Sequence, residues 1–139
     1  MVAVRDGDSF AVVRGAGGAE GEIRIFGIDA PERSQPWSKR AREALAKRVL
    51  GKTVRIEPVE RDRYERIVGH VFAGEACVGC EQVREGHAWV YRRYTTSSAL
   101  LELEAEARAA KRGLWSLPEG ERIPPWEWRH GSAGAARPR

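Results

Sequence analysis

Apolar and polar side chains alternate over residues 2–14 and 21–28, on either side of the turn-rich "RGAGGAEG", and this pattern predicts a pair of strands. After the loop "SQPW" the spacing changes. Ala41, Ala44, Leu45 and Val49 fall on one face of a helix that has Ser38 as its N-cap and stops at Gly51. "KTVRIEPVERDRY" and "RIVGHVFAGEA" return to strand character, joined through a charged turn at 60–66. A short helix, "CEQVREG", follows. The last helix carries Leu100, Leu103, Ala107, Ala110 and Leu114 at steps of 3, 4, 3 and 4, with Glu104 and Arg108 pairing on its outer side. Five strand-like segments with helices between and after them fit an α+β domain built on a small barrel of OB type.

The pattern also divides the chain. Residues 1–116 carry the periodic segments, and 117–130 break into a Pro/Trp-rich extension, "LPEGERIPPWEWRH", which Trp126 and Trp128 are expected to pack on the body. Residues 131–139, "GSAGAARPR", hold no large apolar side chain and are expected to be disordered.

At 139 residues, 42% apolar and 32% charged, the composition is that of one globular domain. No apolar run approaches the roughly 20 residues of a membrane span, so no membrane partner is expected. The start, "MVAVRDGDSF", lacks a charged region followed by an apolar one. As written the chain is expected in the cytoplasm, or exported if an N-terminal segment is missing. Charge is distributed unevenly. Residues 1–32 hold 3 basic and 6 acidic side chains, residues 33–66 hold 11 and 5, and the remainder 10 and 9. An acidic head before a basic middle points to a cation-binding spot beside a surface that attracts polyanions.

Two short motifs give that expectation a chemistry. In "VRDGDSF", Asp6 and Asp8 lie two apart, so an extended backbone would point both carboxylates to one side. In "IRIFGIDAPE", a strand ends on Asp29, Ala30, Pro31 and Glu32. Each motif alone occurs in ordinary turns. Together, Asp8 and Asp29 offer hard oxygens of the kind Ca²⁺ or Mg²⁺ takes, and the Ala30 carbonyl could add another. So small a set leaves room for water and a phosphate. Glu32 then stands where a base would accept a proton from attacking water. Arg24, on the strand feeding "DAPE", and Arg66, in "DRYERIVG", are suited to a phosphoryl group, because a guanidinium grips two oxygens at once and stays charged.

"VRDGDSF", "IRIFGIDAPE", "DRYERIVGHVF", "VREGHAWVYRRY" and "AEARAAKRGLW", in that order over about residues 3–115, resemble the staphylococcal nuclease-like (thermonuclease) family. "PPWEWR" is similar to a tail of bacterial members. The resemblance implies a five-stranded Greek-key OB-fold barrel with three helices. It also implies a calcium-dependent endonuclease, a monomer, that cuts DNA and RNA with little sequence preference, favouring single-stranded or locally open substrate. Carried over residue by residue, it makes Asp8 and Asp29 calcium ligands with the Ala30 carbonyl beside them. Glu32 becomes the general base, and Arg24 and Arg66 meet the scissile phosphate. Asp6 becomes an acid behind the ligands, Arg63 and Tyr64 hold a neighbouring phosphate, and Tyr94 lies near a base. Three departures stand out. Ser9 replaces the usual threonine, Glu65 replaces the usual glycine before Arg66, and the lead into Asp6 is short. If the backbone at 65 has positive φ, glutamate costs about 1 kcal/mol or more there.

Other features carry less. "CVGC", Cys77 to Cys80, has redox spacing without a βαβ setting, and no second pair exists to complete a zinc site. It fits a fortuitous pair or a short-range disulfide. His70, His87 and His130 share no ligand spacing. Tyr91 and Tyr94 interleave with Arg92 and Arg93 in a way that could stack bases, while Trp89 reads as core. The alternative to the enzyme is a catalytically inactive nuclease-like module that binds nucleic acid or a protein ligand. Such a module is expected to have lost some of Asp8, Arg24, Asp29, Glu32 and Arg66, and all five are present.

Overall fold

A computed structural model describes residues 3–15, 17–93, 95 and 97–131. The first predicted strand is two strands. β1 (Ala3–Asp6) and β2 (Ser9–Val13) form a hairpin whose turn is Gly7–Asp8, since Asp6 Oδ1 accepts the Asp8 N–H at 3.1 Å and bends the chain back. The two acids are therefore joined by a turn and do not lie along one extended strand. β2 pairs antiparallel with β3 (Glu20–Ile25), Ser9 opposite Arg24. β3 ends earlier than its apolar run, because Gly27 (φ 86°) turns the chain into β4 (Ile28–Asp29).

β5 (Arg55–Arg61) and β6 (Ile67–Ala73) form the next antiparallel pair, and β6 runs parallel to β3. The sheet order is β1-β2-β3-β6-β5, with β7 (Ala76–Cys77) added at β6. β4 pairs separately with β8 (Trp89–Val90). The architecture is α+β and OB-fold-like, five principal strands with helices packed on them. Among the described residues no ladder joins β1 to β5, so the barrel stays open at that seam.

Four helices are described. α1 (Ser38–Val49) buries Ala41, Leu45 and Val49 as its spacing predicts. Ser38 is already helical, and its cap position falls to Trp37, held left-handed at φ 77° with no side-chain cap bond. α2 (Val78–Arg84) starts two residues earlier than "CEQVREG" suggests, with Cys77 and Cys80 joined by a disulfide across its first turn.

α3 (Ser98–Ala110) is capped by the Ser97 hydroxyl and ends before Leu114, which lies in a 3₁₀ turn (Gly113–Ser116). That turn docks against Gly86, where an added Cβ would stand 2.1 Å from the Arg112 carbonyl oxygen. Glu104 is on the buried side of α3, not the outer one. Its carboxylate accepts the Val90 N–H at 2.8 Å and meets Arg92 at 2.6 Å, so the strand edge supplies the partners that make burial tolerable. α4 (Pro125–Gly131) closes the described chain.

Phe10, Ile23, Ile25, Ile28, Leu45, Val71 and Val78 form the main core between sheet and helices. Trp89, Ala107, Leu114 and Trp115 form a second cluster, on which Trp126 packs edge-on to Trp89 at 5.7 Å. The expectation for the 131–139 tail falls, from residue 132 on, outside the described residues, as does Tyr94. Among the described residues no helix is long and apolar enough to cross a membrane.

Candidate functional site

The β1–β2 turn, the end of β3, the "DAPE" loop and the β5–β6 turn meet around a cleft of about 680 Å³. The Gly7 turn is held from three sides. The Gln82 amide donates to the Gly7 carbonyl at 3.0 Å, and a Cβ at Gly7 would come within 2.8 Å of both Ala30 and Ala41. Only glycine lets this turn sit so close to the "DAPE" loop. Across that contact Asp8 Oδ2 accepts the Ala30 N–H at 2.7 Å, latching the two motifs together.

Asp8 and Asp29 are buried, 5% and 1% exposed, and Arg24 bridges them, 3.3 Å from Asp8 and 3.4 Å from Asp29. Its guanidinium also donates to the carbonyls of Ile28 (2.9 Å) and Ile25 (3.1 Å). Burial works against the Arg24 charge, but Asp8, Asp29 and Asp6 outweigh it and hold its pKa above the ordinary value. Burial likewise raises the Asp29 carboxyl, opposed by its arginines. Asp6 accepts the Ser9 hydroxyl at 2.8 Å, so serine in place of threonine keeps that bond. Burial first, and then the charge of Asp8, push Asp6 up to about 7.

Arg66 lines the same cleft, where its guanidinium pairs with Asp62 at 2.8 Å. Asp62 also accepts the N–H groups of Arg66 and Tyr64 at 3.0 and 2.9 Å. Burial opposes the Asp62 charge, yet these bonds leave its pKa below the ordinary value. The turn carries Glu65 at φ 67°, so the condition under which glutamate is strained is met. Arg63 and Arg66 lie 5.1 and 5.6 Å from the Tyr64 ring centre, and Tyr64 is 64% exposed. Of the predicted site residues, Asp6, Asp8, Arg24, Asp29, Glu32, Arg63, Tyr64 and Arg66 share the cleft lining, and Ala30 adjoins it through its bond to Asp8.

The basic middle of the sequence is split by the fold. Arg63 and Arg66 reach the cleft, whereas Arg40, Lys47, Arg48 and Lys52 line a separate depression beside Glu43, Glu81 and Glu85. Two cleft arginines were not among the predicted site residues. Arg93 lines the wall. Arg129, on α4, donates to both oxygens of Asp29 (3.2 and 2.8 Å) and to Glu32. No spacing in "PPWEWRH" distinguishes Arg129 from a solvated helix end. Tyr91, read as a base-stacking candidate, lines the cleft with one face against Trp126, 5.3 Å between ring centres.

The donor chemistry fits a hard divalent cation. Asp8 and Asp29 are buried carboxylates held by the same guanidinium, and the donors they offer are oxygens. Among the described residues no three acids, histidines or cysteines are grouped so that they could hold a metal ion, so the protein itself offers at most a partial set of ligands.

Residues 22–117 match the family model described as staphylococcal nuclease homologue. The chain belongs to that family. It is 42% identical over 131 residues to a protein of Escherichia coli named "Uncharacterized endonuclease", covering 94% of this chain and 83% of that one. It is 36% identical to "Micrococcal nuclease" of Shigella flexneri, covering 97% and 82%. A "Probable staphylococcal-like nuclease CAN2" of Oryza sativa subsp. japonica is 38% identical over 113 residues, 81% of this chain and 30% of that longer one. The family match begins within β3 and so takes in Arg24, Asp29, Glu32 and Arg66, while the Asp8 turn and α4 flank it.

Proposed function

We propose that the protein is an endonuclease that hydrolyses phosphodiester bonds of DNA and RNA with little sequence preference, and that calcium is its cation. One observation carries this reading. Acids and arginines from four separate segments, Asp8, Arg24, Asp29, Glu32 and Arg66, line one cleft in a chain whose relatives carry nuclease names. Asp8, Asp29 and the Ala30 carbonyl would hold calcium, which when bound supplies positive charge to neutralise a phosphate and bring it beside water.

The protein's own groups divide the remaining work. Glu32, 33% exposed at its side chain, takes the proton of the attacking water. As that oxygen bonds to phosphorus, the bond from phosphorus to the leaving oxygen breaks. Arg24 and Arg66 face the phosphoryl oxygens on which negative charge grows. Arg63 and Tyr64 hold a neighbouring phosphate, and Asp6 fixes the turn that aims Asp8.

A second reading is favoured by the ion pairs from Arg129 to Asp29 and Glu32, which would suit a module that binds nucleic acid without cutting it. Labelled single-stranded DNA and RNA, incubated with the protein in calcium and then in chelator, separate the two. The enzyme cuts both in calcium and neither in chelator. Binding without cleavage at any calcium concentration leaves the binding module.

A further inference from the structure

Asp29 has two guanidinium partners of different character. Arg24 is 14% exposed at its side chain and is tied to Asp8 and two backbone carbonyls besides Asp29. Arg129 is 36% exposed and grips Asp29 through both carboxylate oxygens. It reaches them from a helix anchored elsewhere. Pro125 is buried, Trp126 stacks on Tyr91, and the Gln35 amide donates to the Ile123 carbonyl. α4 can therefore stay docked while the Arg129 side chain swings to the solvent side of the cleft.

A divalent cation at Asp29 would compete for a carboxylate that already accepts three guanidinium hydrogen bonds, two of them from Arg129 on its two oxygens, and it would sit beside a fixed positive charge. Both effects favour exchange over coexistence. We infer that Arg129 is a built-in counter-ion of this acid cluster, and that a divalent cation takes Asp29 only as the Arg129 guanidinium lets go. The inference rests on the calcium site proposed above and adds a coupling to it. The same guanidinium holds Glu32, so one release opens the cation's ligand and frees the carboxylate that is to accept a proton. Arg129 thereby lowers the calcium affinity that Asp8 and Asp29 would have without it.

Calcium chloride titrated calorimetrically into the full chain, with no nucleic acid present, tests the coupling. Arg129→Ala should bind calcium about tenfold or more tighter than the wild type, the scale of a charge-assisted bidentate pair removed from the competition. Arg129→Lys, which keeps the charge without the fork, should fall between. Thermal unfolding supplies a readout that does not depend on cleavage. Arg129→Ala should melt below wild type in chelator, with Asp29 less compensated, and should gain more from calcium. Equal or weaker calcium binding by a folded Arg129→Ala, with the wild type binding, overturns the competition and leaves the calcium site standing. No calcium binding by any of the three proteins overturns the site and the competition together.

Discussion

Arg48 of α1 pairs with Glu85 at the end of α2, and within α2 Arg84 pairs with Glu81, through side chains that keep 23–42% of their exposure. In the cleft, the Arg24 side chain, 14% exposed, faces the buried carboxylates of Asp8 and Asp29. Both regions mix arginines with acids, and sequence composition does not tell them apart. Physically they differ in kind. Exposed pairs gain little over their separate hydration and are screened by salt. Buried pairs lose that hydration, and removing one partner strands the other's charge in a poor solvent. A cluster that tolerates this cost while also raising Asp6 to about 7 is where chemistry should be sought.

Among the cleft residues, Glu32 should show the largest effect. Glu32→Gln keeps size and polarity but cannot take the proton, so cleavage of single-stranded DNA in saturating calcium should fall about 10² to 10⁴-fold. Binding, followed by fluorescence anisotropy, should change little. Equal cleavage by the variant would move the base elsewhere.

Arg24→Ala should lose about 10² or more in turnover. It should also lose about 3 kcal/mol of stability, because Asp8 and Asp29 remain buried. Arg24→Lys should rescue stability better than activity, and chemical denaturation beside the cleavage assay reads both.

Asp6 gives the cluster a pH signature. Its folded pKa of about 7 lies above the ordinary value of 3.8, so the folded state binds the extra proton between those limits. The Asp6 contribution to stability should therefore decline as pH rises from about 4 to about 7, and level off above. Asp6→Asn should flatten this slope and gain on the order of 2 kcal/mol near pH 8, measured in chelator. An unchanged slope would mean that Asp6 is ionised throughout.

The two smallest effects lie outside the buried cluster. Glu65→Gly should stabilise by about 0.5–1 kcal/mol, the relief of a left-handed glutamate less the added freedom of the unfolded chain, with cleavage equal or improved. Arg84→Ala, which removes the exposed pair with Glu81 on α2, should change stability by no more than about 0.5 kcal/mol and leave cleavage untouched. A large loss of cleavage there would erase the distinction between the two regions.

Local pattern and residue chemistry are legible along the chain. The alternation around "RGAGGAEG" and the spacing of Ala41, Leu45 and Val49 marked elements that the fold keeps, because period and burial are set within one segment. The types and order of Asp8, Arg24, Asp29, Glu32 and Arg66 pointed to phosphate and cation chemistry, since each side chain's charge and donors travel with it.

Tertiary structure decided where those charges meet. Asp6 and Asp8 flank a turn because Gly7 is clamped between Ala30, Ala41 and Gln82, contacts from distant segments. Glu104 went inside because Val90 and Arg92 supply its partners from β8 and the turn after it. The basic middle divided between two surfaces because α1 and the β5–β6 turn line different cavities. Arg129 reached Asp29 across 100 positions of sequence. Nothing in its own neighbourhood encodes that contact: it arises from Trp126 finding Trp89 and Tyr91, and long-range packing of that kind has no period to read.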